Sequence, residues 1–186
     1  MMHFDELVQK AAQALSESHI PYVIVGGVAV AAYGRVRSTL DVDIILDLKP
    51  EDVPGFVLAM QGVGLDVTPA DVLDALRERG HFTVFVPGSE YRLDCKGAYS
   101  PRERESLRGR TRRKLGKTWV ALDSVENLIA HKLLFGAEHD VADAETVYVR
   151  QKGLIDGRRL RERAAALGVL DELEALLRRV ERTAPN

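Results

Sequence analysis

The spacing of hydrophobic residues changes along the chain, and the change predicts several kinds of segment. Near the N-terminus, apolar residues recur every three or four positions, which predicts an amphipathic helix over residues 3–18. Short β-branched runs then predict strands. These runs lie at residues 22–25, 41–47 and 117–122, and on both sides of the turn Pro87-Gly88-Ser89. Helical spacing returns at residues 124–135, 138–151, 157–167 and 169–182.

The order of these segments predicts an α/β (α+β) fold in two parts. Residues 1–122 are expected to form a small mixed β-sheet core flanked by helices, including a short helix after the Gly26-Gly27 turn. Residues 123–186 are expected to form a C-terminal helical region packed on that core. The basic segment from Arg102 to Lys117 is predicted to be a helix or a loop.

Composition restricts the class of protein. The chain of 186 residues is 46% hydrophobic and 29% charged, and it has no apolar run near the roughly 18 residues of a membrane span. The N-terminal residues are acidic and amphipathic, unlike a secretory signal, so we expect a cytoplasmic protein without a membrane partner. A single cysteine, Cys95, excludes an internal disulfide. The net charge of -2 conceals eight basic against two acidic residues between Arg102 and Lys117.

Acidic residues interrupt two of the predicted strands. Asp41 and Asp43 are two positions apart, so their side chains point to the same face of a strand. Asp94 lies in a later strand between Arg92 and Lys96, which could contact phosphate oxygens. If the two strands are neighbours, the three carboxylates form a cluster that could hold two Mg²⁺ ions for phosphoryl chemistry. The alternative is an ordinary acidic edge strand.

The residues upstream of this strand make the pattern more specific. Gly26 and Gly27 follow a strand, where backbone N–H groups can approach an anion without an intervening side chain. Arg37 and Thr39 precede Asp41, and an arginine there could bind phosphate bidentately or lie in a plain surface loop. The order strand, Gly-Gly, short helix, Arg-x-Thr and Asp-x-Asp strand favours a nucleotide-binding site.

This order of motifs resembles the nucleotidyltransferase superfamily, whose catalytic domains are similar to that of DNA polymerase β. The matching residues are Gly26, Gly27, Asp41-Val42-Asp43-Ile44 and Leu93-Asp94-Cys95. The stretch from Arg37 to Ile44, and a downstream helix with Lys132, Asp140 and Asp143, resemble the AbiEii-like branch of abortive-infection and toxin–antitoxin nucleotidyltransferases. The resemblance implies a small mixed sheet flanked by helices. It also implies transfer of a nucleoside monophosphate from a nucleoside triphosphate (NTP) to an acceptor hydroxyl, with release of pyrophosphate.

The resemblance also implies roles for individual residues of the front part. Asp41 and Asp43 would ligate Mg²⁺, and Asp94 would complete the metal site and help to deprotonate the acceptor. Gly26 and Gly27 would face the triphosphate. The sequence departs from the commonest form of the glycine motif because no serine follows the first glycine.

The remaining candidates lie further along the chain. The resemblance implies that Lys132 neutralises phosphate charge and that Asp143 orients Lys132 or the sugar. The alternatives are a solvent-facing lysine and, for Asp140 and Asp143, acids that stabilise a helix N-terminus. The segment from Arg102 to Lys117 would lie on the acceptor side, where it either contacts an RNA acceptor such as tRNA or forms a solvated surface.

Three functions remain open from the sequence. The main hypothesis is a Mg²⁺-dependent AbiEii-like nucleotidyltransferase acting on an RNA end, a protein or a small molecule, as a toxin with an antitoxin protein as partner. The second is a nucleotidyltransferase that modifies an antibiotic hydroxyl. The third is a catalytically inactive module of the same fold that binds a partner or RNA. The presence of all three carboxylates counts against this last hypothesis.

Overall fold

The computed structural model describes residues 2–35 and 39–183, and it confirms the predicted mixed α/β fold. The helices are α1 (Phe4–Glu17), α2 (Gly26–Tyr33), α3 (Val53–Gly62), α4 (Pro69–Glu78), α5 (Pro101–Gly109), α6 (Val125–Phe135), α7 (Glu138–Gln151), α8 (Gly157–Leu167) and α9 (Leu170–Thr183), with a 3₁₀ turn at Pro50–Asp52. The strands are β1 (Tyr22–Ile24), β2 (Asp41–Leu46), β3 (His81–Phe85), β4 (Arg92–Gly97), β5 (Thr111–Leu115) and β6 (Thr118–Leu122).

The chain divides into two compact units. The first comprises Met1–Val28 and Ser38–Asp123, and the second comprises Ala29–Arg37 and Ser124–Asn186. Among the described residues, no helix is both long enough and apolar enough to cross a membrane.

The first unit is built on a mixed sheet with the strand order β3-β4-β2-β1-β6-β5. Strand β2 runs parallel to β4, and β1 runs parallel to β6, while the other neighbours are antiparallel. Side chains alternate along β2 and β4, and one face is fully buried. Its members include Val42, Ile44, Leu93 and Cys95. This burial anchors the two strands that carry the acidic residues.

The basic segment contains a strand that the sequence did not predict. Helix α5 starts with a capping box, in which Ser100 accepts a hydrogen bond from the backbone N–H of Glu103 and donates its own backbone N–H to the Glu103 carboxylate. After α5 the chain forms β5 at the edge of the sheet, where it pairs with β6. Four of its five residues are exposed, so no alternation marks it in the sequence. Charged residues on such an edge oppose pairing with another chain.

The second unit consists of α6 to α9 together with the segment that ends α2. Helix α6 packs against α7 and α8, and α9 packs against α6, α7 and α8. The side chain of Gln151 donates a hydrogen bond of 2.7 Å to the backbone carbonyl of Tyr33, which ties the end of α7 to the end of α2. The buried positions of α8 and α9 follow helical spacing, as predicted, with Leu160, Leu173 and Leu176 in the core.

Candidate active site

Three carboxylates lie on one face of two adjoining strands. In the parallel pairing of β2 with β4, Asp43 is directly opposite Asp94, and Asp41 is opposite Arg92. Neighbours in a sheet point to the same face, so Asp41, Asp43, Asp94 and Arg92 share the face opposite to the buried one. The side chains of Asp41 and Asp94 are about one third exposed, at 34% and 30%. The structure therefore brings together the three acids named from the sequence.

A guanidinium group contacts two of these acids. Arg92 Nε donates to both carboxylate oxygens of Asp94, at 3.3 and 3.2 Å, and Arg92 Nη2 donates to Asp41 Oδ2 at 3.3 Å. Hydroxyl groups bind the same carboxylates from outside: Thr39 donates to Asp41 Oδ1 at 2.6 Å, and Thr83 donates to Asp94 Oδ1 at 3.2 Å. The negative charge of the face is thus partly balanced by residues of the same unit.

The glycine at the start of α2 lies against the third acid. Gly26 has φ of +60°, a left-handed conformation that favours glycine. A Cβ atom at this position would be only 2.0 Å from Asp43 Oδ2. The Asp43 carboxylate therefore occupies space that only glycine leaves open. Gly27 is buried as the next residue of the helix. Contact of either glycine with a triphosphate stays a prediction.

The second basic residue of β4, Lys96, forms an ion pair within the protein. Lys96 Nζ lies 2.5 Å from a carboxylate oxygen of Glu103 in α5. Burial alone would raise the pKa of Glu103, but the hydrogen bond and charge of Lys96, together with the backbone N–H of Ser100, outweigh it and lower the pKa to about 2. This ion pair holds α5 on the sheet and engages Lys96, whereas the sequence offered Lys96 as a phosphate contact.

The donor set of the face fits a hard divalent cation by its chemistry. Carboxylate oxygens are the ligands that Mg²⁺ prefers, and three are available on adjoining strands. In the arrangement described, no three histidine, cysteine or acidic side chains among residues 2–35 and 39–183 are grouped so that they could hold a metal ion. Two of the three acids are in contact with Arg92 instead. Ligation of Mg²⁺ by Asp41, Asp43 and Asp94 stays a prediction.

Lys132 and Asp143 form a separate ionic cluster in the second unit. Lys132 Nζ lies 2.6 Å from Asp140 Oδ1 and 3.2 Å from Asp143 Oδ2, and the lysine side chain is only 7% exposed. The alternative of a solvent-facing lysine is therefore wrong. Arg35 approaches Asp143 at 3.9 Å. The two aspartates more than balance the lysine charge within the unit, and a role for Lys132 toward phosphate stays a prediction.

Two residues remain to be considered, Arg37, which was predicted from the sequence, and Thr83, which was not. Arg37 lies outside the described residues. Thr83 did not stand out in the sequence, yet its hydroxyl contacts Asp94. The predicted hairpin turn at Pro87-Gly88-Ser89 places Thr83 within one residue of Asp94 on the neighbouring strand, and the observed register pairs the two directly. The turn was thus a signal that could have brought this residue to attention.

Comparisons with known proteins show the fold but no family. No family model matches the chain, and no curated protein is significantly similar to it in sequence. The solved structure of the antibiotic-resistance factor ANT(2'')-Ia is similar, with a TM-score of 0.59 and 20% identity over 96% of this chain and 97% of the other. The same factor in complex with adenylyl-2''-tobramycin gives 0.59 and 19% identity, over 88% of this chain and 95% of the other.

A nucleotidyltransferase-like antigenic protein from Paracoccidioides brasiliensis is also similar. Its TM-score is 0.57 and its identity is 18%, over 94% of this chain and 91% of the other. The chain therefore has the fold of nucleotidyltransferases, shared over nearly its whole length. The AbiEii-like branch is not among these similarities and stays a prediction from the sequence.

Proposed function

We propose that the protein is a Mg²⁺-dependent nucleotidyltransferase that moves a nucleoside monophosphate from an NTP to an acceptor hydroxyl. The observation that carries the proposal is the register of β2 and β4, which places Asp43 opposite Asp94 with Asp41 on the same face. The nucleotidyltransferase fold supports it. Asp41, Asp43 and Asp94 would hold the metal, which when bound would neutralise charge on the triphosphate and on the departing pyrophosphate.

The residues on and beside the acidic face of β2 and β4 each have a role in the proposed reaction. Asp94 accepts the proton of the acceptor hydroxyl, whose oxygen forms a bond to the α-phosphorus of the NTP. The bond from that phosphorus to the oxygen that bridges to the β-phosphorus breaks, and pyrophosphate leaves. Gly26 and Gly27 begin a helix, so their backbone N–H groups are suited to the triphosphate. Thr39, already hydrogen-bonded to Asp41, orients that carboxylate.

A direct test measures transfer of label from α-³²P-labelled NTPs to a panel of acceptors. The panel contains total tRNA, aminoglycosides and a protein extract, each with Mg²⁺ or with EDTA. We expect Mg²⁺-dependent labelling of one acceptor class and its loss in Asp41→Asn and Asp43→Asn. Asp47→Asn is the matched control, because Asp47 directly follows β2 but is exposed. Equal transfer by all variants would contradict the assignment. Nucleotide binding without any transfer would favour the inactive module.

The β5 edge of the sheet favours an RNA acceptor. Arg112 and Lys114 lie opposite Ala121 and Trp119 of β6, so they share one face with the indole. The guanidinium of Arg112 is 5.6 Å from the centre of the Trp119 ring, which is 52% exposed. An exposed aromatic ring beside two cations suits a nucleobase and its phosphates. The sequence showed no aromatic residue within the basic segment, and the hairpin supplies one.

The opposite edge favours a small cationic acceptor. A groove of about 510 Å³ between α4 and β3 is lined by Asp71, Asp74 and Glu78, and it includes Thr83, the residue bound to Asp94. Its volume is in the range of small-molecule sites. The similar factor ANT(2'')-Ia has been solved with adenylyl-2''-tobramycin, the adenylylated form of a small antibiotic. An aminoglycoside is therefore the second candidate acceptor.

Charge changes at the two edges separate these acceptors. The combination Arg112→Glu with Lys114→Glu is expected to weaken transfer to tRNA and to flatten its salt dependence, while leaving transfer to aminoglycosides unchanged. The combination Asp74→Asn with Glu78→Gln is expected to do the opposite. Acceptor transfer that is insensitive to both combinations would rule out these edges as acceptor surfaces.

A toxin role is the finer form of the proposal and follows from the AbiEii-like resemblance alone. Induced expression of the protein in a bacterial host should then arrest growth, and a cognate antitoxin protein should relieve the arrest. The Asp43→Asn variant should leave growth unchanged at equal expression. Equal arrest by both proteins would show that transfer is not its cause.

A further inference from the structure

Arg92 contacts two of the three acids, Asp41 and Asp94. It is opposite Asp41 in the register of β2 and β4, and its guanidinium donates to Asp41 and to Asp94 at 3.2–3.3 Å. Its side chain is 40% exposed and is therefore accessible to water. A single cation thus links the first acid of β2 with the acid of β4.

This contact involves the same oxygens that a metal ion would need. Arg92 binds Asp41 Oδ2 and both oxygens of Asp94. Thr39 and Thr83 bind the Oδ1 atoms of Asp41 and Asp94. Carboxylates this close together repel each other and require a compensating cation. Guanidinium and Mg²⁺ are alternative ways to supply that charge, and both cannot make full use of these oxygens.

We propose that Arg92 is the resident counter-ion of the carboxylate face and that a divalent cation must displace it. The inference rests on the proposed function, since it concerns the same site. Displacement breaks the contacts to Asp41 and Asp94, and the released guanidinium can then bind the phosphate oxygens of an incoming NTP bidentately. Arg92 thereby couples metal binding to nucleotide binding. Without metal, the arginine balances part of the negative charge of the three acids; with metal bound, it is free to contact the phosphates of the substrate.

The strength of the contact is compatible with such an exchange. Ion pairs at partly exposed positions contribute little to stability because water screens them. Arg92 is therefore held loosely enough for a divalent cation to displace it. Removing its charge is expected to tighten metal binding by about ten-fold, which corresponds to about 1.4 kcal/mol.

The test measures binding of Mn²⁺, as a probe for Mg²⁺, by electron paramagnetic resonance in the absence of nucleotide. We compare the wild-type protein with Arg92→Gln, which removes the charge, and with Arg92→Lys, which keeps the charge but lacks the planar guanidinium that donates to two carboxylates. Arg158→Gln is the matched control, because it removes the same charge from an exposed ion pair with Glu162 in the second unit. Arg92→Gln is expected to bind Mn²⁺ about ten-fold more tightly, while Arg92→Lys and Arg158→Gln stay within about two-fold of wild type.

A second readout protects the test against a folding defect. In EDTA, Arg92→Gln is expected to melt at a lower temperature than wild type, because the acids lose their counter-ion. Mg²⁺ is expected to raise its Tm more than that of wild type. With saturating metal, the KM for NTP should rise in Arg92→Gln, because the phosphate contact is lost.

The outcomes separate this inference from the proposed function. Equal Mn²⁺ binding by Arg92→Gln and wild type would overturn the inference, because Arg92 would not compete with the metal. Weaker binding by Arg92→Gln would also overturn it and show that Arg92 positions the carboxylates for the metal. No Mn²⁺ binding by any of the proteins would overturn the metal-dependent function itself. An unchanged KM for NTP in Arg92→Gln would overturn the second half of the proposal, the return of Arg92 to the substrate.

Discussion

Replacing Gly26 with alanine tests whether the glycine before the acidic strand is required by its backbone conformation or by Asp43. Gly26 has φ of +60°, and an added Cβ would lie 2.0 Å from Asp43 Oδ2, with the Asp43 Cγ at 2.9 Å. The cost of the left-handed backbone conformation lowers stability alone, whereas the clash with Asp43 moves an acid that we assign to the metal. A variant at another glycine with positive φ and without such a clash has only the conformational cost, so comparison with it isolates the effect on the site.

Gly64 provides that matched variant. Its φ is +83°, and apart from its own chain neighbours no described residue has an atom within 4 Å of an added Cβ. Alanine in the left-handed region costs roughly 1–2 kcal/mol at either position. In a protein of this size each kcal/mol lowers Tm by about 2–4 °C. Only at Gly26 must the carboxylate also move, by at least about 1 Å, because real Cβ contacts are essentially never shorter than 3.0 Å.

The two variants are compared by thermal melting and by α-³²P transfer under identical conditions. Gly64→Ala is expected to lose stability and to keep its transfer rate below its Tm. Gly26→Ala is expected to lose at least as much stability and about 100-fold in transfer rate, the penalty typical of a displacement of about 1 Å. Wild-type transfer by a folded Gly26→Ala would refute the assignment of Asp43 to the reacting centre.

Three further predictions concern stability and reactivity. Lys132→Met leaves buried carboxylates without their cation and should cost about 3–5 kcal/mol in urea unfolding, whereas the exposed Lys152→Met should cost almost nothing. Burial, followed by the neighbouring carboxylates, raises the pKa of Cys95, so iodoacetamide at pH 8 should label it only after unfolding; rapid labelling of native protein would contradict this. The pKa of Glu103 falls from its usual 4.5 to about 2 beside Lys96. The ionised carboxylate therefore contributes about 3 kcal/mol to the free energy of unfolding above pH 4.5, and this stability is lost as the pH falls toward 2. Unfolding of Glu103→Gln should therefore be less pH-dependent than wild type in that window, and equal dependence would contradict the shift.

Much of the fold follows from local patterns in the sequence. Helix α7 was predicted at residues 138–151 and α8 at 157–167, and both bounds agree with the structure. The start of α8 is marked by Asp156, whose side chain accepts hydrogen bonds from the first backbone N–H groups, and its end by Gly168 with φ of +72°. Such capping signals are local, so one sequence suffices to predict them.

Edge strands and charge partners could not be predicted in the same way. Strand β5 has no buried face, and its identity depends on its pairing with β6. The sequence placed Arg92 beside Asp94, but its contact with Asp41 spans 51 positions and depends on the register of β2 with β4. Lys132 is buried because α7 packs on α6 and supplies two aspartates. Each of these features is decided by tertiary pairing, which local periodicity does not encode.

The candidate site also contains some features that follow from local patterns and others that depend on tertiary pairing. Alternation along single strands placed Asp41 and Asp43 together, and two buried neighbours, Val42 and Ile44, on the other face. The position of Asp94 beside them depended on which strands are neighbours, which the structure supplies. The close contact of Asp43 with Gly26 could not be predicted from the sequence, where the glycine indicated only a turn open to an anion.

The most direct test of nucleotidyl transfer compares each NTP labelled in the α-phosphate with the same NTP labelled in the γ-phosphate, using the same Mg²⁺-containing acceptor panel. We predict that the acceptor retains the α-label, that the γ-label leaves as pyrophosphate, and that both signals disappear in Asp43→Asn. Retention of the γ-label by the acceptor would show phosphoryl transfer instead. The absence of acceptor labelling from any NTP across the panel would contradict the account of this protein as a nucleotidyltransferase.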